Sequence, residues 1–122
     1  MIPLIFAAGI IMGSVGGIFM KIGAGQLGRV EINSFGQLVD FLFRLFTNVP
    51  SLIGVFLYFS AAIAWAFLLT KLQLSFVQPI LALTYVLTPV LAIFLLHEHV
   101  SPLRWTGVLI IIAGVYVVAR SA

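Results

Sequence analysis

Cysteine is absent from the 122 residues, and charge is nearly so: Lys, Arg, Asp and Glu together make up 7%. Without cysteine there are no disulfides, no thiol chemistry and no cysteine-ligated metal, and the redox compartment leaves no trace in the chain. Soluble globular domains carry about 25% charged residues. With 63% hydrophobic residues and a mean hydropathy of +1.29, the chain lacks the polar side chains to cover a surface facing water. A soluble enzyme, a disordered tail and a secreted disulfide scaffold are excluded on that ground. Acidic residues number only three, so the pI near 9.8 reflects low charge density. The basic residues Lys21, Arg29, Arg44, Lys71, Arg104 and Arg120 are scattered, whereas a nucleic-acid binder gathers them into a stripe. No nucleic-acid partner is expected.

What is present is apolar sequence in long runs. Residues 2–20 and 52–70 each hold nineteen residues without charge, and 76–96 holds twenty-one. A fourth run, 103–119, contains only Arg104, near its start. At 1.5 Å per residue, nineteen residues reach about 28 Å, close to the hydrocarbon thickness of a bilayer. Backbone groups in lipid must be satisfied internally, so each run predicts a helix. The lipid bilayer is thus the first expected partner. The opening MIPLIFAAGI has no basic flank and no clear cleavage site, so the first run is expected to stay in the membrane. Lys21, Lys71, His97-Glu98-His99 and Arg120 end the four runs. Ser101-Pro102 predicts an N-cap followed by proline at the first helical position, and Trp105 marks the interface one turn later.

The segment 32–47 differs. Phe35, Leu38, Val39, Leu42, Leu45 and Phe46 recur at three- and four-residue steps, opposite Asn33, Gln37, Asp40, Arg44 and Thr47, with Phe41 and Phe43 blurring the pattern. This predicts an amphipathic helix in the headgroup plane, broken by Asn48-Val49-Pro50 before the next span. The expected fold is therefore all-α and integral to the membrane: four transmembrane helices plus one interfacial helix between the first and second, in a single domain over 1–122. Lys21, Arg29, Arg44 and Arg104 fall on one face and Lys71 and Arg120 on the other. The excess places the first face in the cytoplasm and both termini outside, while a difference this small leaves dual insertion open.

No Asp, Glu, Lys, Arg or His lies deep in the first three runs, although ion-coupled transporters usually hold one of these at membrane depth. Uncharged polar groups do lie in the third. On a helical wheel Gln78 and Tyr85 fall within about 20° of each other, and Thr84 and Thr88 stand one turn apart. Pro79 and Pro89 bracket them and loosen the backbone ladder. Such a face suits the wall of a substrate path, or hydrogen bonding between helices. Gly9, Gly13 and Gly17, with Ser14 and Gly16 beside them, allow close helix approach or leave room for a ligand, with packing the first reading, and Gly107 and Gly114 read as an association seam. Four helices enclose little volume, so a transport cavity is expected to need a second copy. His97 and His99 point to different helix faces and lack a third ligand, so no metal is expected. Glu98 is expected to cap or to pair with Arg104 across the short loop. No phosphate loop, serine elbow, zinc-protease motif or nucleophile–base pair occurs, so neither an enzyme nor a cofactor is expected.

The stretch 74–120 resembles the repeat unit of the drug/metabolite transporter superfamily. The marks are Pro79 early in span three, Glu98 just after it, Ser101-Pro102, Gly107, and Ala113-Gly114-Val115. Met20-Lys21, Asn48, Pro50 and Trp65 extend the likeness to nearly the whole chain. Four-span members include small multidrug pumps and small EamA-like proteins, among them flippase subunits for aminoarabinose-linked undecaprenyl phosphate. Alignment on Met20-Lys21 puts Gly13, with Ser14 next, where the multidrug pumps carry an essential glutamate, so their proton-driven route is not expected. EHVSPLRW is closer to the flippase-like members.

The resemblance implies a multi-pass protein of a bacterial or archaeal plasma or inner membrane. It further implies a homodimer, or a heterodimer with a paralogue, joined at Gly107 and Gly114. The expected function is movement of an amphiphilic or lipid-linked anionic substrate. Lys21 would take the phosphate, and Ser14, Trp65, Gln78, Tyr85 and Thr88 would bind or line. Two alternatives stand beside it: an exporter of small hydrophobic compounds or metabolites, with Glu98 coupling the ion, and a non-transporting accessory subunit.

Overall fold

The computed structural model describes residues 1–28 and 30–121. Arg29, counted above among the basic residues of one face, lies outside the described residues. Among those described, the chain forms α1 (Ile2–Gln26), α2 (Phe35–Thr47), α3 (Val49–Leu69), α4 (Leu74–Leu81), α5 (Thr84–Leu96) and α6 (Pro102–Arg120). The helices α1, α3 and α6 are each long and apolar enough to cross a bilayer, and so are α4 and α5 taken together as Leu74–Leu96. The fold is thus all-helical with four spans, the third of them broken.

Local chemistry sets the starts. Asn48 caps α3, its Oδ1 accepting from the backbone N–H of Ser51 at 3.1 Å and from the Ser51 hydroxyl at 3.0 Å. Ser101 caps α6 by accepting from Arg104 N–H at 3.3 Å. Proline occupies the first turn of α1, α3 and α6, where its missing N–H has no intrahelical partner to lose. The third span ends at His97, which adopts a left-handed conformation (φ 56°) while Glu98 N–H reaches back to Ala92 O at 3.2 Å. This closes orphan carbonyls before the loop.

Helix α1 runs one and a half turns past Lys21, the expected end of its span. The cause is its docking on the start of α3. Gly23 is buried where a side chain would strike the Ser51 hydroxyl and the Asn48 side chain, and Asn48 Nδ2 donates to Gln26 Oε1 at 3.0 Å. Farther along the same pair, Gly16 and Gly54 bring the two backbones together. A Cβ on Gly54 would stand 2.7 Å from Met20 Cγ and 2.9 Å from Gly16 O. Between lipid-soluble helices apolar burial gives no drive, so such close approach supplies dispersion contacts in its place. The four-residue glycine repeat read above as packing is therefore only partly that: Gly16, beside the repeat, makes the contact.

Helix α2 has no buried residue, and Phe35, Leu38, Val39, Leu42 and Phe46 are uncovered by the rest of the chain. An apolar face left uncovered in this way is suited to a membrane interface. The helix is tied down by Arg44, whose Nη1 donates to Leu27 O at 3.1 Å and whose Nε lies 3.2 Å from Asp40. On α6, Val108 and Val115 are buried, whereas Gly107 and Gly114 have nothing within 4 Å of an added Cβ. Glu98 and Arg104 are both exposed and form no ion pair, contrary to expectation.

These contacts separate two kinds of glycine. Gly54→Ala should lower stability by about 1–3 kcal/mol through overpacking, read as thermal unfolding in detergent. Gly107→Ala, facing open space, should leave the same midpoint unchanged.

Candidate functional site: a polar cavity at the broken span

The break in the third span starts with its prolines. Pro79 and Pro89 lack the N–H that would bond the carbonyls four residues earlier. Between them the ladder tightens. Ala82 bonds Pro79 O at 3.0 Å, Leu83 bonds Ile80 O at 3.1 Å, and Tyr85 bonds Ala82 O at 2.9 Å, all at three-residue spacing. Such a 3₁₀ stretch cannot keep the α register, and it divides α4 from α5 midway along the span. The hydroxyl of Ser14, fully buried on α1, points to Thr84 O at 3.5 Å across the break.

Beside the break lies a cavity of about 470 Å³ whose polar lining comes from Tyr58, Gln78, Thr84, Tyr85 and Thr88. Gly13 and Gly17 form its α1 wall. At Gly17 a Cβ would come within 3.2 Å of the Tyr58 hydroxyl, so the missing side chain makes room for that oxygen. A second cavity of about 300 Å³ shares Gly13, Gln78, Leu81 and Thr84 with the first and extends to Trp65 and Gly9. Trp65 Nε1 donates to Gln78 Oε1 at 2.8 Å, which fixes the amide that both cavities share. Tyr85 is 67% exposed and Tyr58 46%, so the larger cavity is open along the tyrosine side.

The four polar residues of the third span therefore share one cavity. Trp65 joins them through Gln78, and Ser14 stands behind the wall at Thr84. Lys21 does not line the cavity: it is exposed and stands four residues, about one turn, beyond Gly17. Glu98 is farther away, exposed past the end of α5. Gly107 and Gly114 lie on α6, apart from the cavity. Tyr58 was not anticipated. Its signal was a phenol in the middle of an otherwise apolar run, and the four-residue step from Gly54 to Tyr58 puts it one turn from the helix contact.

Chemically, the lining offers hydroxyls, a carboxamide and an indole N–H, with no formal charge. A polar group entering lipid finds hydrogen-bond partners here without the protein itself burying an ion at depth, which costs about 2.5–3.5 kcal/mol or more. Among the described residues no set of three or more His, Asp or Glu could hold a metal ion.

The model of the EamA-like transporter family matches residues 1–120. The chain belongs to that family. It is similar to the probable 4-amino-4-deoxy-L-arabinose-phosphoundecaprenol flippase subunit ArnE of Pseudomonas fluorescens Pf-5, with 30% identity over 60 residues, 49% of this chain and 53% of that protein. The same named subunit from Escherichia coli O139:H28 is 34% identical over 61 residues, 50% of this chain and 55% of the relative. The chain spans about half the length of the curated relatives it matches. No solved structure matches it. As an EamA-like protein with four spans, it is a multi-pass membrane protein, and the cavity at its broken span is the polar feature that family membership leaves to be explained.

If Trp65 and Gln78 act as a unit, Trp65→Phe and Gln78→Leu should each lower stability, and together by less than their sum. A coupling of about 0.6 kcal/mol is typical of such bonds in membranes, measurable by a double-mutant cycle in detergent unfolding.

Proposed function

We propose that this EamA-like chain moves an amphiphilic, lipid-linked anionic substrate between leaflets, acting as a dimer with a second copy or a paralogue. The observation that carries the reading is the uncharged polar cavity at the mid-depth break of the third span. A lipid-linked substrate keeps its tail in hydrocarbon, so only its head must be carried past the apolar centre. Hydroxyl and amide groups can exchange hydrogen bonds with that head while the tail stays outside, along the open tyrosine side.

Lys21 supplies the missing charge. Gly13, Gly17 and Lys21 follow at four-residue steps on α1, so the ammonium stands over the same side of the helix, about 6 Å beyond the last glycine of the wall. A long basic side chain near a helix end reaches to headgroup depth. That suits reception of a phosphate before its passage and adds no charge to the cavity itself. The ArnE names of the relatives support a lipid-linked phosphate as substrate class. The uncovered glycine face of α6 supports pairing there, since small residues let a second α6 approach closely.

The test is a flipping assay in proteoliposomes with a fluorescent polyprenyl-phosphate probe. Lys21→Ala should slow transfer about tenfold, the size of one lost charge-assisted hydrogen bond. Glu98→Gln should leave the rate unchanged. An unchanged rate for Lys21→Ala removes the phosphate role, and a lost rate for Glu98→Gln favours ion-coupled export instead.

A further inference from the structure

Two cavities run together at the end of the bundle opposite α2. One, about 370 Å³, lies at the turn between α3 and α4 and is lined by Lys71, Gln73, Ser75 and Ser121 together with Leu72 and Phe76. The other, about 470 Å³, is an almost wholly carbon-lined groove that includes Phe6, Ile80, Leu83 and Ala119, and it too contains Leu72 and Phe76. The shared residues make the pair one continuous depression, polar at the headgroup end and apolar below. Phe6 and Phe76 meet edge to face along it, centroids 6.3 Å apart at 76°. We propose that this depression is a binding site for one anionic glycerophospholipid, its phosphate held at Lys71 and one acyl chain laid along Phe76, Ile80 and Leu83.

Charge, depth and separation from the other cavity carry the assignment. The chain's three acidic residues, Glu31, Asp40 and Glu98, all stand at the other end of the bundle, whereas Lys71 and Arg120 stand at this one. Lys71 forms no ion pair with a described residue, and it presents its cation beside Ser75 and Ser121. From Leu72 to Leu83 the groove follows the chain for about 16 Å, a little over half of the roughly 30 Å hydrocarbon core. It therefore runs from one headgroup layer to the midplane, the depth of a single leaflet's acyl chain, and ends at the 3₁₀ break. The polar cavity uses Ala82, Thr84 and Tyr85, on other sides of that break. The lipid site is thus separate from the proposed path and does not rest on the transport reading.

Native mass spectrometry of the full chain in neutral detergent tests it, with phosphatidylglycerol and phosphatidylcholine of matched acyl chains as probes. The wild type should retain phosphatidylglycerol in preference. Lys71→Gln should lower that retention about fivefold, the effect of one basic residue on an anionic headgroup, and Lys71→Arg should restore it. Ala119→Leu, which fills the groove and leaves the charge in place, should lower retention of both lipids. Equal retention of the two lipids by the wild type would overturn the assignment. So would undiminished phosphatidylglycerol binding in the Lys71→Gln/Arg120→Gln double variant, or full displacement of phosphatidylglycerol by equimolar polyprenyl phosphate. Each of these results leaves the flipping rate of Lys21→Ala to be judged by itself.

Discussion

The close approach of α1 and α3 at Gly16 and Gly54 sets the geometry of everything around it. The two backbones meet where a single methyl on Gly54 would lie 2.9 Å from a carbonyl oxygen of α1. The neighbours of these glycines are then placed automatically. Gly17 follows Gly16 on α1, and Tyr58 follows Gly54 by one turn on α3, so the phenol stands over a glycine and its oxygen enters the cavity. At the other end of the contact, Gly23 receives the Asn48–Ser51 cap. One helix pair therefore fixes three things: the start of α3, the length of α1 and the width of the polar cavity. A looser pair would close or flood that cavity, because its α1 wall is made of glycines that have no side chains with which to compensate.

The broken third span works against this rigid pair. Prolines in a lipid-embedded helix release carbonyls that hydrocarbon cannot satisfy, and such breaks persist where protein or a polar cavity surrounds them. Here both conditions hold: the Ser14 hydroxyl points at the break from α1, and Tyr58, Gln78 and Thr88 gather beside it. The break also divides its own circumference. Ala82, Thr84 and Tyr85 border the polar cavity, while Ile80 and Leu83 border the carbon-lined groove. Even a continuous α-helix would leave the Ser75 and Tyr85 carbonyls without an N–H from Pro79 and Pro89; the break adds three-residue bonds between them, and there the Ser14 hydroxyl faces the Thr84 carbonyl from another helix.

Much of this was readable in the chain before any coordinates. The four spans were legible because lipid imposes a coarse rule, charge-free runs long enough to cross, and this sequence obeys it. The break at Asn48, the cap at Ser101 and the shared face of Gln78, Thr84, Tyr85 and Thr88 depend on residues close in sequence, where spacing alone decides. Long-range features were not legible. The extension of α1 to Gln26 depends on Asn48, twenty-two residues later. The division of labour among Gly13, Gly16 and Gly17 depends on which neighbour each meets, and a four-residue repeat does not say. The pairing of Glu98 with Arg104 was a plausible reading of a short loop. It failed because the chain turns through the left-handed His97 and leaves both side chains in the open.

The placement of charge ties these features to transport. An ion-coupled carrier needs a group that changes charge at depth, but the cavity of this chain holds only hydroxyls, an amide and aromatic rings. The charge that could meet a substrate stands at one end, on Lys21, while Lys71 at the other end borders the separate lipid groove. A freely soluble ion would gain little from such an arrangement, since nothing midway offsets the loss of its hydration. An amphiphile differs, because its tail never leaves hydrocarbon and only the head has a barrier to cross. Under the proposed function, a cationic end and a neutral polar cavity open on one side suit a tethered head better than a free solute. The same logic accounts for the interfacial α2. Tied to the end of α1 through Arg44 and Leu27, it holds its uncovered apolar residues at the end of the bundle towards which Lys21 stands, where a headgroup layer would meet them.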